Sequence, residues 1–169
     1  GRNWLKQDSL DLNQPGMKAW QKQLLAEQLR FQKRAGRRFP DPENWIWTDK
    51  SLSQASDWLS AKFKASLFPL DIEVWDICCG AGVDATALGI NSSRSLIAVD
   101  NDPLMNLLTQ SNAKAHSTEL NTRTESFKVD MVPPDAWLHI DPDRRPHSNR
   151  TLAADLFSPS LAEVFEAAC

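Results

Sequence analysis

Val74-Trp75-Asp76-Ile77-Cys78-Cys79-Gly80-Ala81-Gly82-Val83-Asp84 is the stretch whose reading decides the fold. An apolar run leads into a tight turn at Gly80 and Gly82, where absent side chains leave backbone open to a ligand, and a helical pattern follows at once. Working outward, residues 72–78 read as a first strand and 84–89 as the start of a helix. A second strand is predicted at 95–99 and a helix over 103–116, with Pro103 in its first turn. A third strand is predicted at 126–129, and Pro133-Pro134 breaks the chain before a fourth at 136–140. A last helix is expected over 161–168. Strand, crossover helix and strand in this order imply an α/β fold, a doubly wound parallel sheet of Rossmann-like type. Such sheets usually hold more than four strands, and the fourth would otherwise be an exposed apolar edge. The sheet is therefore expected to be incomplete at the C-terminus.

Residues 1–68 have a different texture and are expected to form an N-terminal helical segment, with the ligand-binding domain at 69–169. Pro15-Gly16 opens a helical pattern in which Met17, Trp20, Leu24 and Phe31, with Leu25 and Leu29 beside them, share one face. Gly36 and Pro40 end it. Residues 39–44 read as a loop, and Trp45-Ile46-Trp47-Thr48 as a short apolar patch. Ser51 and Gln54 have capping-box spacing for a following helix, and Ser56 can start the next.

With 169 residues, 41% of them hydrophobic, the chain can bury a real core. No stretch approaches the roughly 18–20 apolar residues of a membrane span, so no membrane contact is expected. Cys78, Cys79 and Cys169 cannot build a disulfide framework and point to a reducing compartment, hence a cytoplasmic location. A net charge of −3 gives no global attraction to nucleic acid, so a polyanion would need a local basic patch.

Two ligand classes use a strand–glycine turn–helix. Gly80-x-Gly82-x-x-Ala85 satisfies the permissive dinucleotide fingerprint, and the same architecture holds S-adenosyl-L-methionine, a cationic nucleoside. Charge separates them. A pyrophosphate is favoured by the bare N–H groups of a helix start, whereas Asp84 in that turn and Asp76 on the strand repel it and suit an ammonium and a sulfonium. Asp100 ends the second strand about 24 residues after Asp76, near the roughly 20-residue spacing at which such folds present an acid to a ribose. Asp130, expected at the end of the third strand, can accept from an adenine amino group, with Met131 over the ring. Asp141, before Pro142, ends the fourth. Acids recur at the carboxyl edge where open α/β sheets bind ligands. Any one alone could be a cap or turn former. Cys78 and Cys79 read as small residues packed under a turn, and no metal site is expected. His116 and His147 read as surface residues. His139, beside Asp141, is a candidate proton carrier.

Asp76-x-Cys78-Cys79-Gly80-x-Gly82 resembles the first motif of class I S-adenosylmethionine-dependent methyltransferases, with Cys78 where many members have glycine. The pattern with Asp100-Asn101-Asp102-Pro103 resembles the trimethylguanosine synthase-like RNA methylases. Closer still is a bacterial group of methyltransferases with a THUMP-like C-terminal domain, through Phe39-Pro40, Trp47-Thr48 with Leu52-Ser53-Gln54-Ala55-Ser56, and Ile140-Asp141-Pro142-Asp143-Arg144-Arg145. The resemblance covers roughly residues 39–165. It implies a cofactor site at Asp76, Cys78, Cys79, Gly80, Gly82, Asp84, Asp100, Asn101, Asp130 and Met131, with Gly80 and Gly82 along the methionine, Asp76 near its amino group and Asp100 on the ribose. It implies catalytic roles for Asp141 and Pro142. Amino-methylating relatives continue with a second proline and an aromatic, whereas this chain has Asp143-Arg144, which departs from their grip on a planar base.

Arg144, Arg145 and Arg150 follow the catalytic strand, and Lys33, Arg34, Arg37 and Arg38 form a second basic cluster at a helix end. Both are candidate RNA contacts. The expectation is an S-adenosyl-L-methionine-dependent methyltransferase acting on RNA. A nicotinamide-dependent oxidoreductase and a non-catalytic nucleoside-binding scaffold are the alternatives.

Overall fold

The computed structural model describes residues 15–142 and 157–167. Four strands, β1 (Glu73–Ile77), β2 (Ser95–Asp100), β3 (Asn121–Thr124) and β4 (Trp137–Ile140), form one sheet in the order β3-β2-β1-β4. Every pair is parallel. Helix α4 (Val83–Gly89) joins β1 to β2, and α5 (Pro103–Ala115) joins β2 to β3. The chain steps outward from β1 to β3 and then returns to the other side of β1. That reversal puts a topological switch point between β1 and β4, the place where this class of sheet opens a crevice at its strand ends.

The N-terminal part folds as α1 (Ala19–Ala35), two 3-10 turns (Gly36–Arg38 and Pro42–Asn44), α2 (Asp49–Gln54) and α3 (Trp58–Ser66). Thr48 caps α2 by accepting from the Ser51 amide, and Asp57 caps α3 by accepting from that of Ser60. The caps therefore fall three residues before Ser51 and one after Ser56, not at those two serines. The last described element is α6 (Leu161–Ala167).

One face of the sheet carries Val74 and packs with Leu96, Val83, Ala87, Leu88, Met105 and Leu108. The same core holds Phe31, Phe39, Trp45, Trp47, Leu52, Ala61 and Ala65, so the N-terminal helices share it. Trp45 stacks on Trp47 at 5.4 Å, and Phe39 lies against both. Buried aromatics of this size dominate a core, and truncating one to alanine costs about 3–5 kcal/mol. The opposite face carries Trp75, Ile77 and Val99 under Phe127, Met131, Val132, Leu138 and Ile140.

Helix α1 docks differently from the expectation. Trp20 and Leu24 are 60% and 52% exposed, and of the predicted face only Phe31 is buried. Its grip is polar. The Gln28 amide donates to the Trp47 carbonyl at 2.6 Å and accepts from its N–H at 2.9 Å. The Gln32 amide donates to the carbonyls of Glu43 and Trp45. An irregular segment buried beside a helix has no ladder of its own, and these side chains supply its missing partners. His116 also differs from the expectation: it is half-buried, with its ring 4.3 Å from that of Trp45.

Candidate functional site

The Gly80–Gly82 turn is built by backbone strain held from outside. Cys78, Gly80 and Gly82 have φ of 60°, 55° and 77°, the left-handed region. The Gly80 N–H donates to Asp100 Oδ2 at 3.0 Å, and Thr109 Oγ1 donates to the Gly80 carbonyl at 2.9 Å. The Asn112 amide donates to the Ala81 carbonyl at 2.9 Å and also clasps Ile46, accepting from its N–H at 2.8 Å and donating to its carbonyl at 3.1 Å. Asn106 completes the set, donating to the Asp100 and Arg123 carbonyls and to Thr124 Oγ1. Asn106, Thr109 and Asn112 recur every three residues on the buried side of α5 and tie the loop to two strand ends. Their roles were missed in the sequence, although three polar residues on the inward face of an amphipathic helix were the available signal.

A cavity of about 770 Å³ opens at the switch point, within the range of small-molecule sites. Its lining includes Asp76, Cys78, Cys79, Gly80, Asp84, Asp100, Asn101, Asp141 and Pro142. The fold thus gathers these predicted residues, which are spread over three chain segments, around one space. Gly82, Asp130 and Met131 are absent from that lining, Gly82 because it packs against Thr109. β3 spans Asn121–Thr124, because its pairing with β2 runs from Ile97↔Asn121 to Asp100↔Thr124 and stops where β2 stops. Asp130 therefore sits exposed in a 3-10 turn, Val129–Met131, not at a strand end, and Met131 packs on the far face of the sheet. Glu125, Ser126 and Phe127 line the cavity at that edge instead.

Each acid has a different environment. Asp100 accepts from the amides of Gly80 and Asp102, one on each oxygen, which leaves a lone pair on both for a diol. Asp84 does not stand as a bare charge: Lys64 Nζ lies 2.6 Å from its Oδ1, and Ser56 Oγ donates to its Oδ2 at 2.9 Å. Its repulsion of a phosphate is correspondingly weaker than the sequence implied. Asp76 is 3% exposed and pairs with His139 Nδ1 at 2.7 Å, a direct consequence of the register Asp76↔His139 between β1 and β4. Its Oδ2 is buried without a hydrogen-bond partner among the described residues. Burial raises the Asp76 carboxyl above its ordinary 3.8, against the pull of His139. Burial alone would lower His139, but the adjacent Asp76 charge and hydrogen bond outweigh it and hold the imidazole above 6.5. Asp141 is exposed at the end of β4, its N–H on the Ile77 carbonyl.

Cys79 is buried, and burial pushes its thiol well above its ordinary range, which disfavours the thiolate. Cys78 is half-buried, with Sγ 3.7 Å from the Ser158 carbonyl. In the Lys33–Arg38 cluster, Arg34 pairs with Asp49, and Arg38 donates to the Leu52 and Ala55 carbonyls. Lys33 and Arg37 are exposed. Arg144, Arg145, His147 and Arg150 lie outside the described residues. Among the described residues no helix is long and apolar enough to cross a membrane.

No family model matches the sequence, and no curated protein does. Solved structures do match the fold. A "putative methyltransferase" from Porphyromonas gingivalis W83 superposes with a TM-score of 0.67 at 17% identity, over 89% of this chain and 39% of its own. The chain thus spans about two fifths of the length of that structure. The N-terminal domain of EvdMO1, solved with SAH bound, has a TM-score of 0.41 at 16% identity, over 63% of this chain and 48% of its own. A TehB-like SAM-dependent methyltransferase from Corynebacterium glutamicum has a TM-score of 0.32 at 13% identity, over 72% and 48%. The parallel four-stranded sheet with flanking helices is the Rossmann-like methyltransferase fold.

Proposed function

We propose that this chain binds S-adenosyl-L-methionine and is the cofactor-binding part of a methyltransferase. One observation carries the reading. The switch-point cavity is lined by Asp76, Asp84, Asp100, Asp102, Glu125, Asp141 and Glu163, against Lys50 and His139, with Lys64 offsetting Asp84. A low-dielectric cleft with that excess of carboxylates attracts a cation and repels a pyrophosphate. The residues fit the group on two further counts. A Cβ built at Gly80 meets nothing within 4 Å, so the loop leaves open space there, and the buried Asp76 Oδ2 lacks a donor.

The bound donor supplies an electrophilic methyl on a sulfonium. Asp100 orients the ribose through both oxygens. Asp141, exposed at the end of β4 beside the glycine turn, accepts hydrogen bonds from an incoming amine and takes up positive charge as it develops. Much of the acceleration comes from holding nucleophile and methyl in line.

RNA is the proposed substrate. The support is the basic run Arg144-Arg145 with Arg150 directly after the catalytic strand, together with the sequence likeness to the THUMP-like and trimethylguanosine synthase-like methylases. Calorimetric titration with S-adenosylhomocysteine and with NAD tests the cofactor. Binding of the first alone is expected, and uptake of NAD with no affinity for the adenosyl-sulfur ligand overturns the assignment in favour of an oxidoreductase. Methyl transfer to cellular RNA tests the substrate, and binding without transfer favours a scaffold.

A further inference from the structure

We propose that His139 is a positioning residue for the cationic ligand: its imidazole, held on one oxygen of Asp76, sets how much negative charge the cavity floor presents. The inference rests on reading the cavity as the S-adenosyl-L-methionine site. The Asp76–His139 pair sits side by side on the two strands that flank the switch point, and both residues line the cavity. Asp76 Oδ1 is 2.7 Å from His139 Nδ1, while Oδ2 is buried with no partner among the described residues. Among the described residues no backbone N–H donates to this carboxylate, and the imidazole is its compensating group.

Among the described residues the other charges around His139 are few. Asp84 on α4 and Lys64 on α3 face it besides Asp76 on β1, and those two pair with each other at 2.6 Å. Asp141 follows on the same strand, and the ring of Phe68 lies 6.2 Å away. With Lys64 and Asp84 cancelling, the floor carries the charge of the Asp76–His139 pair. That pair is neutral when it holds one proton, on whichever partner, and negative when it holds none. A sulfonium or ammonium above it is bound more strongly by the negative form, and by linkage its binding expels the shared proton. His139 is thus coupled to the ligand through Asp76 without touching the reacting atoms.

The test is calorimetric titration of S-adenosylmethionine and S-adenosylhomocysteine into the full chain and into His139→Gln between about pH 6 and pH 9. Ionisation of the ligand's own amino group is common to both proteins and cancels in the ratio of their affinities. For S-adenosylmethionine, wild type and variant are expected to bind alike at pH 9, with wild type about tenfold weaker at pH 6. A ratio constant across that range overturns the inference and leaves the cofactor assignment standing. Failure of wild type to bind either ligand at any pH removes the assignment and the inference with it. If His139→Gln does not fold, the wild-type imidazole is titrated by NMR with and without S-adenosylmethionine. A downward shift of its midpoint on binding supports the coupling, and an unmoved midpoint rejects it.

Discussion

Lys64 on α3 places its ammonium 2.6 Å from Asp84 Oδ1 in the first turn of α4, and Ser56 Oγ bridges the two, 2.9 Å from each partner atom. This half-buried trio fastens the N-terminal helices to the element that follows the glycine turn. Removing one partner of such a pair leaves the other charge poorly solvated, a larger cost than the pair's own net worth. Lys64→Met is expected to lower stability by about 1–3 kcal/mol in urea denaturation. Asp84→Asn in the same background should restore part of it, and a strictly additive double mutant would show that the two groups do not interact.

Gly82 and Gly80 should answer differently to alanine. A Cβ at Gly82 comes within 2.8 Å of Thr109 Cγ2 and Oγ1, on a backbone with φ of 77°. Gly82→Ala is expected to cost about 2–4 kcal/mol, with Thr109→Ala relieving only the side-chain part of the clash, because Thr109 Cα also lies 2.9 Å away. At Gly80, with φ of 55° and open space around it, only the roughly 1–2 kcal/mol of backbone strain applies. Gly80→Ala should therefore remain folded and lose affinity for S-adenosylhomocysteine, because the methyl group occupies cavity space. Equal thermal shifts for the two variants would contradict this.

Asn112 is fully buried and serves three backbone groups, the N–H and carbonyl of Ile46 and the carbonyl of Ala81. Asn112→Ala orphans all three, and a loss of about 2–4 kcal/mol is expected. Hydrogen exchange at the Ile46 amide should accelerate well beyond the global change. Unchanged protection there would mean that water replaces the lost partner.

The Asp76–His139 pair makes stability pH-dependent. Both groups titrate higher in the folded chain than when free, Asp76 through burial and His139 through Asp76. A raised group contributes stability that is complete below its unfolded value and fades as pH climbs through the folded one. For His139 the fading begins above 6.5. Wild-type Tm should therefore fall more steeply than that of His139→Gln between pH 6 and 9. Parallel Tm profiles would refute it.

The central strand, its glycine turn and the acids Asp76, Asp100 and Asp141 were legible because glycine spacing and apolar runs mark them directly. β3 was not. It is a polar edge strand, Asn121-Thr122-Arg123-Thr124, whose limits come from pairing with β2 rather than from hydrophobicity, so Phe127 and Val129 drew the expectation past its end. The docking of α1 was hidden for a related reason, since glutamines at positions 28 and 32 replace the apolar contacts a periodicity looks for. The Asp76–His139 contact needs the strand order, which places β4 beside β1 across 63 residues of chain. A hint was present in Asp76 and His139, ionisable residues each flanked by apolar neighbours inside a strand.

The Asn112 clasp has a practical consequence for dissecting this molecule. It joins the chain at Ile46 to the chain at Ala81, so the glycine turn is braced by a segment that precedes the first strand. Clipping the polypeptide before Pro69 would strip away that brace, the Lys64 counter-charge and the wall formed by Lys50 and Gln54. A minimal fragment that keeps the glycine turn braced has to begin ahead of Ile46.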